Sequence, residues 1–465
     1  MGKKLPKNWV ETEVGDISEI IRGITYNKLQ AKPFKENDDY LVLRGGNIQD
    51  GKITTETKDV VYVESNLVKD VQQIKKGDVV IVGSTGSKRL IGKAGIAKED
   101  FKEISFGAFL MLIRPSKLIE ASLFDYYFIS DNYRNVIRDL AGGVNINNIR
   151  REYITNLKFP LPPLAEQQRI VAKLDELFGH LDSLKTRLNN IPQILKNFRQ
   201  AVLTQAVTGK LTEEWRVGKE LGEWKVELAK DCCEKVQSGG TPKGSNFAES
   251  GIPFFKVYNI VDQKISFDYR PQFVSEEIQN SQCKKSICFP NDVLMNIVGP
   301  PLNKVAIVPE EFPECNINQA ITLFRVKEYL NNKYLYYFLR EGTPVNSLVN
   351  ETRGVVGQVN ISLTQCRETQ ISIPPKEEQT EIVKRVEHLF AKADKIEVQY
   401  QSLKTKIDSL PQAILAKAFK GELLEQLDTD GSAEVLLEEI QRLKASLSRK
   451  PSLRGTKQSQ PKKKK

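Results

Sequence analysis

The residues that most invite a chemical reading are those at positions 83–95, GSTGSKRLIGKAG. A glycine-rich loop ending in lysine can cradle phosphates through its backbone N–H groups, but here the spacing fails. From Gly86 to Gly92 there is one residue too many, and Lys93 is followed by Ala94 rather than Ser or Thr. Metal chemistry is no better supplied. All six cysteines lie in the second half (Cys232, Cys233, Cys283, Cys288, Cys315, Cys366), no CxxC pair occurs, and His180 and His388 are the only histidines. Reduced, structural thiols are expected, with neither a metal nor a cofactor. Two histidines inside helical repeats also leave general-base chemistry without a place. The chain reads as one that binds rather than reacts.

The same loop has a second reading. Ser84, Thr85, Ser87, Lys88 and Arg89 place hydroxyl groups beside two cations between expected strands. Such a set can hold phosphates by charge and read base edges by hydrogen bonds. A solvated hairpin tip is the alternative. The corresponding loop of the second half, GPPLNK at 299–304, offers only Asn303 and Lys304. Further DNA-binding candidates in the first half are Arg22, Tyr26, Lys28, Arg44, Asn145, Asn147, Asn148 and Arg150, with Asn47 and Arg151 beside them. In the second half they are Lys243, Ser245, Lys256, Tyr258, Arg353, Gln358 and Asn360, with Asn259. Asn and Gln suit adenine edges, Arg and Lys guanine. Asn47 and Asn259 are expected to be turn formers instead.

What must position these residues is visible as a duplication. Residues 162–211 and 374–423 align without a gap at an offset of 212, and fifteen of the fifty pairs are identical. Apolar residues run from Ile170 through Leu174, Leu177, Leu181, Leu184, Leu188, Ile191, Leu195 and Phe198 to Val202 in 4-3 steps, and the second copy repeats them. That period predicts a left-handed coiled-coil seam, roughly 50 Å long at 1.5 Å per residue. Pro-Pro with a Glu in the first turn opens each copy, and Gly209 or Gly421 closes it. Pro192 and Pro411 are not equivalent positions, and bends or breaks are expected at both.

The duplication extends beyond the helices. Trp9 matches Trp224, Asn47-Ile48 matches Asn259-Ile260, and the runs at 75–82 and 109–115 match those at 289–298 and 320–326. Short β-branched runs between Gly, Asn and Pro predict strands of a compact β-rich unit. A helical stretch is expected in each, around 124–140 and 333–350. The expected order is globular unit, long helix, globular unit, long helix.

Composition adds limits. The net charge of +10 is mostly tail, because residues 449–465 hold eight basic groups and no acid. No apolar run approaches a membrane span and the first residues carry no signal-like stretch, so a cytoplasmic location without a membrane partner is expected.

Two diverged β-rich units, each running into PPxxEQxxIV and ending QAxLxxAxxGxL, resemble the specificity subunit of a Type I restriction-modification system over residues 5 to about 447. The resemblance implies an α+β fold, with two β-rich globular target recognition domains joined by two long helices that form an antiparallel coiled coil, a pseudo-twofold internal repeat. The expected boundaries are 1–161 and 212–373 for the recognition domains, 162–211 and 374–423 for the helical spacers, and 424–465 for a short helix and a basic disordered tail. Each domain would read one half of a bipartite double-stranded DNA target, the helices setting the spacer and binding two DNA methyltransferase subunits, with restriction/translocase subunits as further partners. Glu166, Gln167, Phe178, Glu378, Gln379 and Phe390 are the expected partner-binding residues. The chain itself would not be an enzyme: Leu161 and Ile373 stand where an adenine methyltransferase needs Asp or Asn before Pro-Pro, and no aromatic follows. A stand-alone DNA-modifying or cleaving enzyme and a coiled-coil scaffold without DNA affinity are the rival readings.

Overall fold

The computed structural model describes residues 5–56, 60–141, 147–242, 247–299, 301–343 and 360–448; Asn145, Lys243, Ser245, Arg353 and Gln358 lie outside them. The chain divides into two compact units, Met1–Thr186 with Leu403–Lys465, and Arg187–Ser402. The expected boundaries follow the chain, whereas these units cut across both helical segments. Each globular part therefore owns the start of one helical segment and the end of the other.

The first unit is built on a four-stranded antiparallel sheet of β1 (Ser18–Arg22), β2 (Val79–Val82), β3 (Ala94–Ile96) and β4 (Leu110–Pro115), in the order β1-β4-β2-β3. Strand β2, VVIV, is buried throughout. Its alternate residues serve two cores: Val79 and Ile81 join Ile20 and Ile113 on one face, and Val80 and Val82 join Ile21 and Leu112 on the other. The helical stretch expected at 124–140 is two helices, α1 (Ala121–Phe128) and α2 (Asp131–Leu140). Ser130 separates them, its Oγ accepting the Tyr133 N–H at 3.4 Å as the N-cap of α2. Helix α3 (Leu164–Asn189) then leaves the unit directly after Pro162-Pro163.

The second unit opens with α4 (Ile191–Val207) and repeats the sheet as β5 (Cys233–Ser238), β6 (Val293–Asn296), β7 (Val305–Ile307) and β8 (Ile321–Val326), in the matching order β5-β8-β6-β7. Helix α5 (Asn332–Glu341) packs on it, and α6 (Lys376–Ala418) follows. All six cysteines of this unit are free and buried. The chain then returns to the first unit as α7 (Ala433–Ser448), whose Ala433, Leu436 and Ile440 enter the same core as Trp9 and Phe159.

The two prolines behave differently. Asn190 ends the first helix and Pro192 sits in the opening turn of α4, where a missing N–H costs nothing. Pro411 lies inside α6, which runs unbroken through it, so the expected break there is absent. The helical segments pair antiparallel. In the second unit Arg385 Nη1 donates to the Leu211 carbonyl at 2.9 Å, while Arg199 Nη2 reaches Asp394 Oδ1 and Glu397 Oε2, both at 2.7 Å. One contact point descends the chain as the other climbs it.

The seam is narrower than the heptads suggest. Leu174, Leu181, Leu188, Leu195 and Val202, seven residues apart, are buried, as are Val386, Ala393, Tyr400 and Ile407. The other heptad position is buried at the start of each segment, at Ile170 and Ile382, and opens farther along, with Leu184, Phe198, Ile396, Leu403 and Leu410 exposed. Away from the globular parts, a two-helix pairing that closes mainly on one position per heptad leaves the second partly in solvent.

Candidate nucleic-acid interface

In each unit the strand ends converge. Arg22, the last residue of β1, pairs with Met111, and Val82, the last of β2, pairs with Leu110. Beside them the strand Tyr40–Leu43 runs parallel to Ile104–Phe106, and Gly107 N–H donates to the Leu43 carbonyl at 2.9 Å. The Phe109 carbonyl accepts from the N–H groups of Gly83 (2.8 Å) and Ser84 (3.1 Å), and Ser84-Thr85 pairs antiparallel with Asn148-Asn147. Five loops therefore meet at one end of the sheets: those at 22–26, 43–47, 83–89, 107–109 and 147–150.

This gathering brings most first-unit candidates onto one edge. Arg22, Arg44, Asn148 and Arg150 are exposed there, as are Lys28, Lys88 and Arg89 nearby, and none of these cations forms an ion pair among the described residues. Arg150 lies over the Tyr153 ring at 5.9 Å. Ser84, Thr85 and Ser87 are half-buried, with Thr85 Oγ1 accepting the Ser87 N–H at 3.3 Å. Tyr26 packs its ring against Ile24, Val42 and Val63. Residues 83–93 connect two antiparallel strands rather than a strand and a helix, which removes the phosphate-loop geometry altogether. Asn47 is buried, accepting from the Arg44 N–H (2.8 Å) and donating to the Thr54 carbonyl (2.8 Å), so it builds its turn.

The second unit repeats the edge with other side chains. The Ile297 N–H donates to the Ala320 carbonyl, the Ile361 N–H to the Ile297 carbonyl, and Val298 bridges to the exposed Asn360. Asn259 takes the role of Asn47, with bonds to the Lys256 N–H and the Ser266 carbonyl. Lys256 lies over the Phe247 ring at 4.7 Å, and Tyr258 donates to the Arg270 carbonyl. Asn303 and Lys304 are half-buried and take part in the turn itself. Asn303 takes φ +69° and its carbonyl accepts from Gln263, while Lys304 Nζ donates to the Val257 carbonyl at 3.3 Å.

The residues expected to bind partners are mostly interior. Gln167 is buried, its Oε1 accepting the Glu120 N–H (2.9 Å) and its Nε2 donating to the Pro162 carbonyl (2.8 Å). Gln379 does the same with the Asn331 N–H (2.7 Å) and the Pro374 carbonyl (2.8 Å). Glu166 accepts from Trp9 Nε1 (2.8 Å) and Gln426 Nε2 (2.6 Å); Glu378 accepts from Trp224 Nε1 (2.9 Å), Thr212 Oγ1 (2.7 Å) and Arg216 Nη1 (2.5 Å). Burial raises the Glu166 pKa against the hydrogen bonds from Trp9 and Gln426. Phe178 stacks on Tyr126, and Phe390 on Tyr337. All six fasten each globular part to the helix that follows it, and their polar atoms are spent there. Gly209 and Gly421, both at positive φ, lie against Trp224 and Trp9 in the same clamp.

Two features escaped the sequence reading. Phe109, at the junction of the first unit's loops, is 70% exposed. Arg134 and Arg138, with Arg89 and Lys93, line a cavity of about 390 Å³ beside that edge. Two arginines four apart on a polar helix read as a solvated face, so no local signal marks them.

A family model described as the Type I restriction modification DNA specificity domain matches residues 6–193 and again 222–404. The chain belongs to this family. Members of this specificity family are DNA-recognition components rather than catalysts, and the chain shares that class. It is 36% identical over 468 residues to the Type I restriction enzyme EcoKI specificity subunit of Escherichia coli (strain K12), covering 97% of this chain and 98% of the relative. The StySPI specificity subunit of Salmonella potsdam is 37% identical over 94% of this chain and 96% of its own. Among solved structures, the HsdS subunit from Thermoanaerobacter tengcongensis superposes with a TM-score of 0.60 at 20% identity, covering 90% of this chain and 99% of that one. The shared fold is that of this family. Among the described residues no helix is long and apolar enough to cross a membrane, and no group of His, Cys, Asp or Glu could hold a metal ion.

Proposed function

We propose that this chain gives a type I restriction-modification complex its DNA sequence specificity, each unit reading one half of a bipartite double-stranded target in the cytoplasm. The observation that carries the reading is the repeated loop edge. The backbone frame is the same in both units down to matched hydrogen bonds, while the side chains it presents differ (Ser84, Thr85, Lys88 and Arg89 against Val298 and Asn360). Exposed unpaired cations on the first edge supply phosphate contacts, and Asn148 with the hydroxyl groups supplies base contacts.

The helical segments set the length of unread DNA and dock two methyltransferase subunits, with restriction/translocase subunits joining through them. The exposed heptad residues suit that docking better than the buried clamp residues do: Leu184, Leu403 and Leu410 in the first unit, Phe198 and Ile396 in the second. Deleting residues 181–187 and 393–399 together removes one heptad from each segment, roughly 10 Å of helix, and should shorten the accepted spacer by about three base pairs. An unchanged spacer would refute the ruler role.

A further inference from the structure

The cavity beside the first edge is a charged one. Arg89, Lys93, Arg134 and Arg138 line it against Asp50 and Asp131, over an apolar floor that includes Phe128. Arg134 is only 8% exposed, and among the described residues its one ion pair is to Asp50 at 3.9 Å, which is almost fully in solvent and is shared with Lys93 at 3.8 Å. Its Nη2 donates to the Arg89 carbonyl at 2.8 Å, and its Nε is buried without a hydrogen-bond partner among the described residues. The Nε of Arg138, one helical turn along α2, is likewise buried and unpartnered. Two guanidiniums on adjacent turns repel, and Asp50 and Asp131 set two carboxylates against four cations, an imbalance that a bound anion would redress.

From this geometry we propose that the cavity is a phosphate site, in which the Arg134 and Arg138 guanidiniums, joined by Lys93 and Arg89, hold the oxygens of one phosphate group. Guanidinium forks match phosphate geometry, and the volume falls in the range of ligand sites. Burial first, and Arg138 second, hold the Arg134 pKa below its ordinary value, so the protein on its own leaves this charge poorly compensated. Gln412 of α6 closes the wall, accepting the Asp131 N–H (2.7 Å) and donating to the Ile129 carbonyl (3.2 Å). The site thus links an exposed loop cation to a helix end.

In the second unit only the glutamine wall can be compared among the described residues. There Gln200 occupies the matching position, donating to the Glu341 carbonyl at 2.8 Å, and the Glu341 carboxylate accepts from Thr204. In the second unit, then, this glutamine lies beside a buried carboxylate.

The phosphate has two possible sources, a DNA backbone next to the loop edge, which rests on the proposed function, or a free anion. The full-length chain is tested as wild type and Arg138→Gln, with Lys93→Gln as the second variant should the first fail to fold. Inorganic phosphate, titrated in a thermal melt at fixed ionic strength, should raise the wild-type midpoint by about 2–4 °C and leave the variant unmoved. In complex with its methyltransferase subunits, the variant's slope of log affinity against log salt should fall by about one for every DNA sequence if the phosphate is DNA's. Phosphate protection with an unchanged slope assigns a free anion, and a changed slope without protection assigns a DNA phosphodiester. Neither effect, in a wild-type complex that binds its DNA, overturns the site. A wild-type complex without specific binding refutes the functional reading instead, and the melt alone then decides the cavity.

Discussion

The two units share what faces inward and differ in what faces outward. In both, a glutamine in the first turn of the long helix accepts the N–H of the residue that caps α1 or α5, a glutamate takes a tryptophan N–H, and a positive-φ glycine lies against that tryptophan. Outside this frame they diverge. The first unit carries a cationic loop, an exposed Phe109 and an arginine-lined cavity; the second stacks Arg340 on Tyr336, Tyr337 and Phe390. A scaffold that holds its loop ends by interior bonds leaves the loops free to vary, as the proposed reading of two different half-sites requires.

The largest expected break in this comparison is at the clamp. Glu378→Ala strands three donors, one of them a guanidinium, and should cost the second unit about 3–5 kcal/mol. Glu166→Ala strands two neutral donors and should cost the first unit roughly 2–3 kcal/mol. Urea unfolding, with hydrogen exchange assigning the loss to each unit, checks both; equal losses would contradict the difference in partners.

Asp125 separates the units next. It is buried on α1 with one oxygen unpartnered and Lys98 at 3.3 Å, and desolvation outweighs that lysine to push it up to about 6. Tyr336 stands in its place in the second unit. Because the folded pKa lies above the unfolded one, the stability Asp125 contributes is full below about pH 4 and is lost as pH rises through about 6. The loss is about 3 kcal/mol, and Asp125→Asn should flatten that part of the first unit's pH profile while leaving the second unit's unchanged. A profile unaltered by the substitution would place the titration elsewhere.

The smallest effects belong to the loops. Lys88→Ala with Arg89→Ala should lower the salt slope of DNA binding by about two, whereas Lys304→Ala, whose ammonium is held by the Val257 carbonyl, should change it by less than one. Equal changes would mean that the two loops contact DNA alike.

The frame was legible because it is written in local pattern. The heptads, the proline and glycine ends and the β-branched runs each depend on neighbours a few residues away, and Asn47 and Asn259 declared themselves turn formers in the same way. The burial of Glu166 and Gln167 was not legible because first-turn residues normally face solvent; Trp9, 157 residues earlier, closes over Glu166, and the Glu120 N–H, 47 residues earlier, bonds Gln167. The open half of the heptad was hidden for a related reason: period alone gives the apolar stripe, not how much of it a partner helix covers. The cavity was illegible because Asp50, Lys93, Arg134 and Gln412 come from four distant segments.

The most direct test of the central claim is to map methylated adenines in DNA modified by this chain with its methyltransferase subunits, before and after exchanging residues 84–89 for the loop of a relative. A bipartite motif with a fixed spacer is expected, of which only one half changes on exchange. A continuous motif, or a change in both halves, would contradict it.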